Sequence, residues 1–251
     1  MSHSVHLDFN SNLMMPDYYQ MLKEDVRFEE GISACINCGT CTAICPAAEF
    51  YNYDPRLIAE TVQTGDNQKI YELLTGDTIW YCGECMSCKT RCPRDNTPGL
   101  IIMALRHLAM KTGLFTASEK GRQQLVIKRS IGEWILKYGY CVYREELTMD
   151  DHPEQGPTWE WQNTHLTDLL LRLGIEYKVD GPGVLRKIPE EALEEVRSIF
   201  RETGGMDFLE NIEKCSAEKA KEMGLEFDKR LNCEYMHDVY QSNGSHHTKR
   251  K

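Results

Sequence analysis

The sequence has no excess of basic residues and no long apolar run. Its 29 Lys and Arg residues are outnumbered by 39 Asp and Glu residues, which gives a formal net charge of −10 at pH 7. Nucleic acids and anionic lipids are bound through basic patches, so we expect neither as a partner. A membrane-spanning helix needs about 18 or more apolar residues. The best candidate, Trp134 to Tyr143, is shorter and contains Lys137, so the sequence predicts no integral membrane segment.

The motifs of nucleotide, flavin and hydrolytic sites are also missing. There is no G-x-G-x-x-G, P-loop, G-x-S-x-G or H-E-x-x-H pattern. The segment from Met1 to Asn12 has neither the basic nor the apolar part of a secretory leader. We therefore expect no catalytic residue in this chain, and we expect a reducing, cytoplasmic location.

Cysteine, in contrast, is abundant and regularly spaced. Eight of the eleven cysteines form two runs with the spacing C-x2-C-x2-C-x3-C-P, and the prolines are Pro46 and Pro93. The first run is Cys35, Cys38, Cys41 and Cys45, and the second is Cys82, Cys85, Cys88 and Cys92. Zinc sites normally use two C-x2-C pairs, so the pattern favours iron-sulfur clusters over a zinc-stabilised assembly scaffold.

Two-cluster bacterial ferredoxins hold [4Fe-4S] cubes on this same spacing, and the last cysteine of each run binds the other cluster. This resemblance implies a first cluster on Cys35, Cys38, Cys41 and Cys92, and a second on Cys82, Cys85, Cys88 and Cys45. Two neighbouring cubes would form an electron relay. Gly39 and Gly83 would allow close approach to sulfide, and hydrogen bonds are available from Thr40, Thr42 and Ser87.

Helical signals surround both runs. Asp54-Pro55 is typical of a helix start, and Thr97-Pro98 begins a longer helix with an apolar stripe of Ile101, Leu105, Leu108 and Ala109. A further helix is predicted from Thr116 to Tyr138, with a core face of Ile127, Ile131, Trp134, Ile135 and Tyr138. We predict a mainly α fold, with an alpha-helical ferredoxin-like domain that binds two [4Fe-4S] clusters and a smaller, mostly helical C-terminal extension.

Composition and helix signals predict five segments. They are an N-terminal arm at 1–16, the ferredoxin domain at 17–144, an acidic linker at 145–163, the helical extension at 164–240 and a flexible tail at 241–251. Trp159 and Trp161 either attach the linker to the body or anchor a partner. The alternation of Ile175, Tyr177 and Val179 predicts a short strand.

Several other side chains have more than one open interpretation. Lys89, Arg91 and Arg94 could form a docking patch, stabilise the reduced, more negative cluster, or be a solvated face. Outside the two runs, Cys141, Cys215 and Cys233 have no second ligand at useful spacing, and Cys215 is predicted to lie in a core.

The first half of the chain resembles the C-type iron-sulfur protein of heterodisulfide reductase (HdrC). The match lies in the two cysteine runs, the helical spacer with Asp54-Pro55 and the Thr97-Pro98 helix. It implies electron transfer between an A-like flavoprotein subunit and a B-like subunit, whose CCG motifs carry out the disulfide chemistry. This sequence contains no Cys-Cys-Gly. The stretches from Pro189 to Phe200 and from Gly204 to Ile212 resemble longer C-type subunits of sulfur-oxidising prokaryotes.

The main alternative is the iron-sulfur subunit of a membrane-associated dehydrogenase. Succinate-oxidising members normally add a [2Fe-2S] domain with C-x4-C-x2-C spacing, and glycolate-oxidising members fuse CCG domains. Neither pattern occurs in this sequence.

Overall fold

The computed structural model describes residues 15–152, 155–231 and 233–241. Regular structure in these residues is helical, which confirms the mainly α class. Contacts divide the chain into two compact units, one ending at Ala109 and the other beginning at Met110. This division differs from the predicted linker at 145–163, and the predicted domain boundaries stay a prediction. Most of the predicted arm at 1–16 and of the tail at 241–251 lies outside the described residues.

The first unit is built from short helices around one long helix, and the last residues of that helix lie beyond the end of the unit. Asp54 caps α5 by accepting a hydrogen bond from the Leu57 N–H, and Asp66 caps α6 in the same way. A 3-10 turn, Thr78–Tyr81, leads into the second cysteine run. The α-helices are α1 (Tyr18–Lys23), α2 (Arg27–Ile32), α3 (Thr40–Ala43), α4 (Pro46–Phe50), α5 (Pro55–Gln63), α6 (Asn67–Thr75), α7 (Ser87–Arg91) and α8 (Pro98–Thr112).

The core of this unit lies along α8. The predicted stripe is buried at every position, Ile101, Leu105, Leu108 and Ala109, which confirms it. Helix α2 approaches α8 so closely that a Cβ atom at Gly31 would lie 3.0 Å from the Ile101 backbone nitrogen. Because the first cysteine run follows α2 and the second run precedes α8, this packing draws the two runs toward each other.

The described residues of the second unit contain seven more α-helices. They are α9 (Glu119–Arg122), α10 (Gln124–Ile127), α11 (Glu133–Tyr138), α12 (Pro157–Arg172), α13 (Glu190–Glu202), α14 (Gly205–Met223) and α15 (Glu234–Gln241). Helix α12 begins inside the predicted linker, because Pro157 occupies its first turn. The predicted strand is reduced to one bridge between Tyr177 and Val184, since Lys178 has a left-handed backbone with φ 55°.

The predicted helix from Thr116 to Tyr138 is interrupted, and its predicted core face is only partly buried. A π-helical segment, Lys128–Gly132, joins α10 to α11. A π turn adds a residue to the helical repeat and rotates the faces that follow it. Trp134, after this segment, is buried, whereas Ile131 within it is 38% exposed and Ile127 just before it is 46% exposed. Leu125 and Arg129 lie in the interior instead.

Candidate iron-sulfur centre

The two cysteine loops follow the same backbone path. In each loop, the middle cysteine of the three at x2 spacing lies between two residues with a left-handed backbone. The φ angles are 56° at Asn37, 83° at Gly39, 52° at Glu84 and 57° at Met86. Turns of this kind gather backbone N–H groups into concavities that bind anions, as at many iron-sulfur sites. Both loops therefore have the local shape that an anionic cluster requires.

The middle cysteines are exposed, and each has a hydroxyl neighbour two residues later. The Cys38 sulfur lies 3.3 Å from Thr40 Oγ1, and the Cys85 sulfur lies 3.4 Å from Ser87 Oγ. These side-chain hydrogen bonds lower the pKa of both thiols, which favours the thiolate form that binds metal. Of the three predicted hydroxyl donors, Thr40 and Ser87 lie beside the sulfur of a cysteine two residues earlier. The Thr42 hydroxyl donates to Asp54, and Thr42 also opposes the rise in the pKa of Cys41 that burial causes.

Four cysteines from the two runs line one pocket. Its walls include Cys35, Cys38 and Cys41 from the first run and Cys92 from the second. Arg56, Arg94 and Asn96 also line this pocket. The structure thus brings the last cysteine of the second run to the first three of the other run, the same four that the ferredoxin spacing implies for one cluster.

Cysteines of both runs act on one buried tyrosine. Burial, and next the nearby Cys82 and Cys45 thiols, raises the pKa of Tyr53 well above its ordinary value. Burial also raises the pKa of Cys88. A hydrogen bond from the Gly99 N–H opposes this rise, and the nearby Cys82 adds to it. Cys45 of the first run and Cys82 of the second therefore both affect the pKa of Tyr53.

The carbonyl group of the first cysteine in each run is held by a side chain from a helix. Gln63 Nε2 donates to the Cys35 oxygen at 3.0 Å, and Gln63 Oε1 accepts from the Asn37 amide at 2.9 Å. In the second loop, Arg106 Nη2 donates to the Cys82 oxygen at 2.6 Å, and Arg106 Nη1 donates to the Glu84 carboxylate at 2.5 Å. Each loop is thus anchored twice by one side chain.

These donors fit a cluster of several irons. Within the described residues, no three His, Cys, Asp or Glu side chains converge closely enough to bind a single metal ion. In a cube, each iron takes one external thiolate, so the four sulfur atoms surround a space. The four cysteines around one pocket have that arrangement. Burial raises the pKa of Cys41 to about 11 in the absence of metal, and binding to iron would deprotonate it.

Comparison with known families defines the class of protein. The 4Fe-4S dicluster domain family matches residues 30–96, a range that contains all eight cysteines of the two runs. Together with the mainly α fold and the two matching loops, this defines an iron-sulfur protein with two [4Fe-4S] clusters.

Curated relatives narrow the class. The C-type protein of the ferredoxin:CoB-CoM heterodisulfide reductase of Methanosarcina acetivorans is 41% identical over 113 residues, which are 44% of this chain and 43% of the relative. The iron-sulfur C 2 protein of the CoB--CoM heterodisulfide reductase of Methanocaldococcus jannaschii is 30% identical over 182 residues, covering 72% of this chain and 78% of the relative. The iron-sulfur C protein of the CoB--CoM heterodisulfide reductase of Methanopyrus kandleri is 35% identical over 152 residues, covering 55% of this chain and 73% of the relative.

The chain belongs to the HdrC family, the C-type iron-sulfur proteins of heterodisulfide reductase. It spans less than half the length of the Methanosarcina acetivorans relative, at 43%. None of the helices in the described residues combines the length and apolar character needed to cross a membrane.

Three important residues have no motif that marks them in the sequence. Tyr53 lies in the polar stretch before Asp54, and Arg106 interrupts the apolar stripe of α8. Gly99 has no local signal because its role depends on a contact across the fold: a Cβ atom there would lie 3.5 Å from the Cys88 sulfur. A charged residue within an otherwise apolar helix is the one signal that could have drawn attention to Arg106.

The remaining sequence candidates lie in varied settings. Lys89 forms an exposed ion pair with Glu30, and Arg91 is exposed. Trp159 attaches to its own segment through a hydrogen bond from Nε1 to the Leu147 oxygen, whereas Trp161 is 54% exposed and stacks on His165.

The three other cysteines differ in exposure. Cys141 is exposed, Cys215 is half-buried against Gly113, and Cys233 is buried with its sulfur 3.9 Å from Arg129 Nη1.

Proposed function

We propose that this chain relays electrons between an A-like flavoprotein subunit and a B-like, CCG-containing subunit of a heterodisulfide-reductase-like complex. The named relatives are the C-type proteins of enzymes that act on the CoB-CoM heterodisulfide. Each [4Fe-4S] cluster supplies the ability to take up and return one electron. Reduction of a disulfide to two thiols takes two electrons, so the relay would pass them one at a time.

The ligand set is part of the same proposal. The first cluster would use Cys35, Cys38, Cys41 and Cys92, and the second would use Cys82, Cys85, Cys88 and Cys45. The single observation that carries the proposal is the pocket lined by Cys92 together with the first three cysteines of the other run. Crossed ligation interleaves the two runs, and this keeps the two cubes near each other, as an electron relay requires.

The exposed position of one cysteine per loop supports the relay. Cys38 and Cys85 are both exposed, so each cluster would have an edge within reach of a docked protein. One edge would serve the flavoprotein and the other the CCG protein. Eight thiols must stay reduced for this function, so we also propose a cytoplasmic location.

The relay can be tested with the chain in its complex. The tagged chain would be purified with its untagged partners, and the flavoprotein would be reduced. We expect both cluster EPR signals to appear and then decay when a disulfide substrate is added. A complex without this chain should keep the flavoprotein reduced and the disulfide intact. Disulfide reduction at the full rate without the chain would overturn the proposal.

A further inference from the structure

A buried tyrosine lies beside the second cluster site without an ordinary hydrogen-bond acceptor. Tyr53 is 4% exposed. Its hydroxyl group is fully buried and has no hydrogen-bond partner within the described residues. Burying a hydroxyl group without a partner costs free energy, so a structure that retains one usually completes it with a further group.

Packing holds the Tyr53 ring in place. It packs nearly perpendicular to the ring of Tyr81, with ring centroids 6.4 Å apart and an interplanar angle of 88°. Tyr81 stacks in turn on Tyr51, with centroids 4.6 Å apart and an angle of 4°. Edge-to-face and stacked pairs of this kind restrict ring motion. The direction of the hydroxyl group is therefore set by the fold.

The sulfur atoms nearest along the fold belong to cysteines of both runs. Cys82 directly follows Tyr81, the residue whose ring Tyr53 packs against, and after burial it is Cys82 and then Cys45 that raise the pKa of Tyr53. These cysteines come from different runs, and the proposed ligand set assigns both to the second cluster. A thiolate bound to iron remains a hydrogen-bond acceptor. Loading of the cluster would therefore supply the acceptor that the hydroxyl lacks.

We propose that Tyr53 donates its O–H to the Cys82 sulfur when Cys82 binds the second cluster, and thereby raises the reduction potential of that cluster. The reduced cluster carries one more negative charge than the oxidised cluster. A hydrogen bond to a ligand sulfur stabilises the more negative form, and cluster potentials are known to respond to such bonds. Tyr53 is a positioning residue, because it acts through Cys82.

Among the described residues that line the first cluster pocket, none is a tyrosine, and the side-chain hydroxyl belongs to Thr40. Thr40 has a counterpart in the second loop, Ser87, at nearly the same distance from its cysteine. These two contacts affect both clusters alike, so Tyr53 is a difference between the sites. It would favour movement of an electron onto the second cluster.

The test is a redox titration of the isolated, cluster-loaded chain, followed by EPR, with Tyr53→Phe. The phenylalanine keeps the ring and removes only the hydroxyl. We expect the midpoint of one cluster to fall and the other to stay unchanged. At a fixed potential, the ratio of reduced to oxidised second cluster should drop several-fold, up to about tenfold, which corresponds to about 59 mV for one electron.

The matched control is Tyr51→Phe, which removes a hydroxyl from the same stack of rings. It should leave both midpoints unchanged. The inference rests on the ligand set of the proposed function, but the titration needs no partner protein. Absence of two clusters in the parent chain would overturn the proposed function. Two intact clusters with no selective shift in Tyr53→Phe would overturn the inference about Tyr53 alone.

A second substitution covers the case in which Tyr53→Phe loses its cluster. Incorporation of 3-fluorotyrosine at position 53 keeps the hydroxyl and makes it a stronger donor, because fluorine acidifies the phenol. The midpoint of the same cluster should then rise. A fall, or an equal shift of both clusters, would contradict the proposal.

Discussion

The two cysteine loops have the same spacing and the same backbone turns, but they are held by different chemistry. In the first loop, a neutral amide, Gln63, binds both the Cys35 oxygen and the side chain of Asn37. In the second loop, a guanidinium group, Arg106, binds both the Cys82 oxygen and the carboxylate of Glu84. Arg106 also donates from Nε to the Ile79 oxygen at 2.8 Å.

The comparison shows that the cysteine spacing determines the backbone path of each loop, whereas the surrounding helices determine how the loop is anchored. The C-x2-C-x2-C spacing recurs with left-handed residues on both sides of the middle cysteine, so it sets the path of each loop. The anchors lie outside the spacing, on α5 and α8. Charged hydrogen bonds are stronger than neutral ones, so the second loop should depend more heavily on its anchor.

The largest effect is expected from exchanging the last cysteine of either run. If the ligands cross, Cys92→Ser should remove the cluster of the first loop, and Cys45→Ser should remove the cluster of the second. Each variant should fall from about eight to about four irons per chain, since a cube holds four. Iron analysis with EPR of the reduced proteins measures this. The signal that remains in each variant should be the one that the other variant loses.

The result can separate crossed from local ligation. A further change, Cys38→Ser, identifies the signal of the first loop. If Cys92→Ser loses the same signal as Cys38→Ser, the ligands cross. If Cys45→Ser shares that loss instead, each run binds its own cluster and the ligand set is wrong. Cys141→Ser, at an exposed cysteine outside both runs, is the control and should keep both signals.

Much of this site could be predicted from local patterns. The cysteine spacing predicts cluster binding, and Asp54-Pro55 predicts a helix start that the structure confirms through the Leu57 N–H. The α8 stripe follows from helical periodicity and is also confirmed. These features depend on residues that are close in the sequence, so a short window contains the information.

The features that escaped prediction depend on contacts between distant residues. Arg106 reaches Cys82 across 24 positions, and Gln63 reaches Cys35 across 28. A spacing rule cannot place such pairs without the tertiary fold. The prediction of an unbroken helix across Lys128–Gly132 was wrong for a related reason. Its buried Arg129 pairs with Glu213, 84 positions away, at 2.5 Å, and nothing in the local apolar pattern indicates that partner.

The second prediction tests the two anchors directly. Arg106→Gln removes the charge that holds the second loop, and we expect it to lower the free energy of unfolding by about 2–3 kcal/mol. Gln63→Ala should cost about 1 kcal/mol, because its hydrogen bonds are neutral and exposed. Both changes in the free energy of unfolding can be measured by following the loss of visible cluster absorbance in guanidinium. Equal losses, or a larger loss in Gln63→Ala, would contradict the contrast between the anchors.

The third prediction concerns the left-handed positions. Gly39 has φ 83°, and an L-residue in that region costs about 1–2 kcal/mol. We therefore expect Gly39→Ala to destabilise the loaded protein by about that amount. The matched control is Gly83→Ala, because a Cβ atom there would meet no atom within 4 Å. Denaturant midpoints compare the two. An unchanged midpoint in Gly39→Ala would show that the first loop does not need its glycine.

The smallest effect is expected at Asp54, which links the first loop to its supporting helix. Its carboxylate accepts from the Leu57 N–H at 3.0 Å and from the Thr42 hydroxyl, beside Cys41. Burial opposes ionisation, but the Thr42 and Leu57 hydrogen bonds outweigh it and lower the pKa of Asp54. Asp54→Ala should cost about 1 kcal/mol at pH 7.

The stabilisation that Asp54 provides should depend on pH in a definite direction. Because the pKa of Asp54 is lower in the folded protein than the value of about 3.9 in an unfolded chain, its contribution is complete above that pH. It is lost as the pH falls through the folded pKa, so the difference in free energy of unfolding between the parent and Asp54→Ala should narrow in acid.

The control is Asp66→Ala, which removes a cap from α6 without touching a cysteine loop. It should lower stability by a similar amount but leave the first cluster's EPR line shape unchanged, whereas Asp54→Ala should alter it.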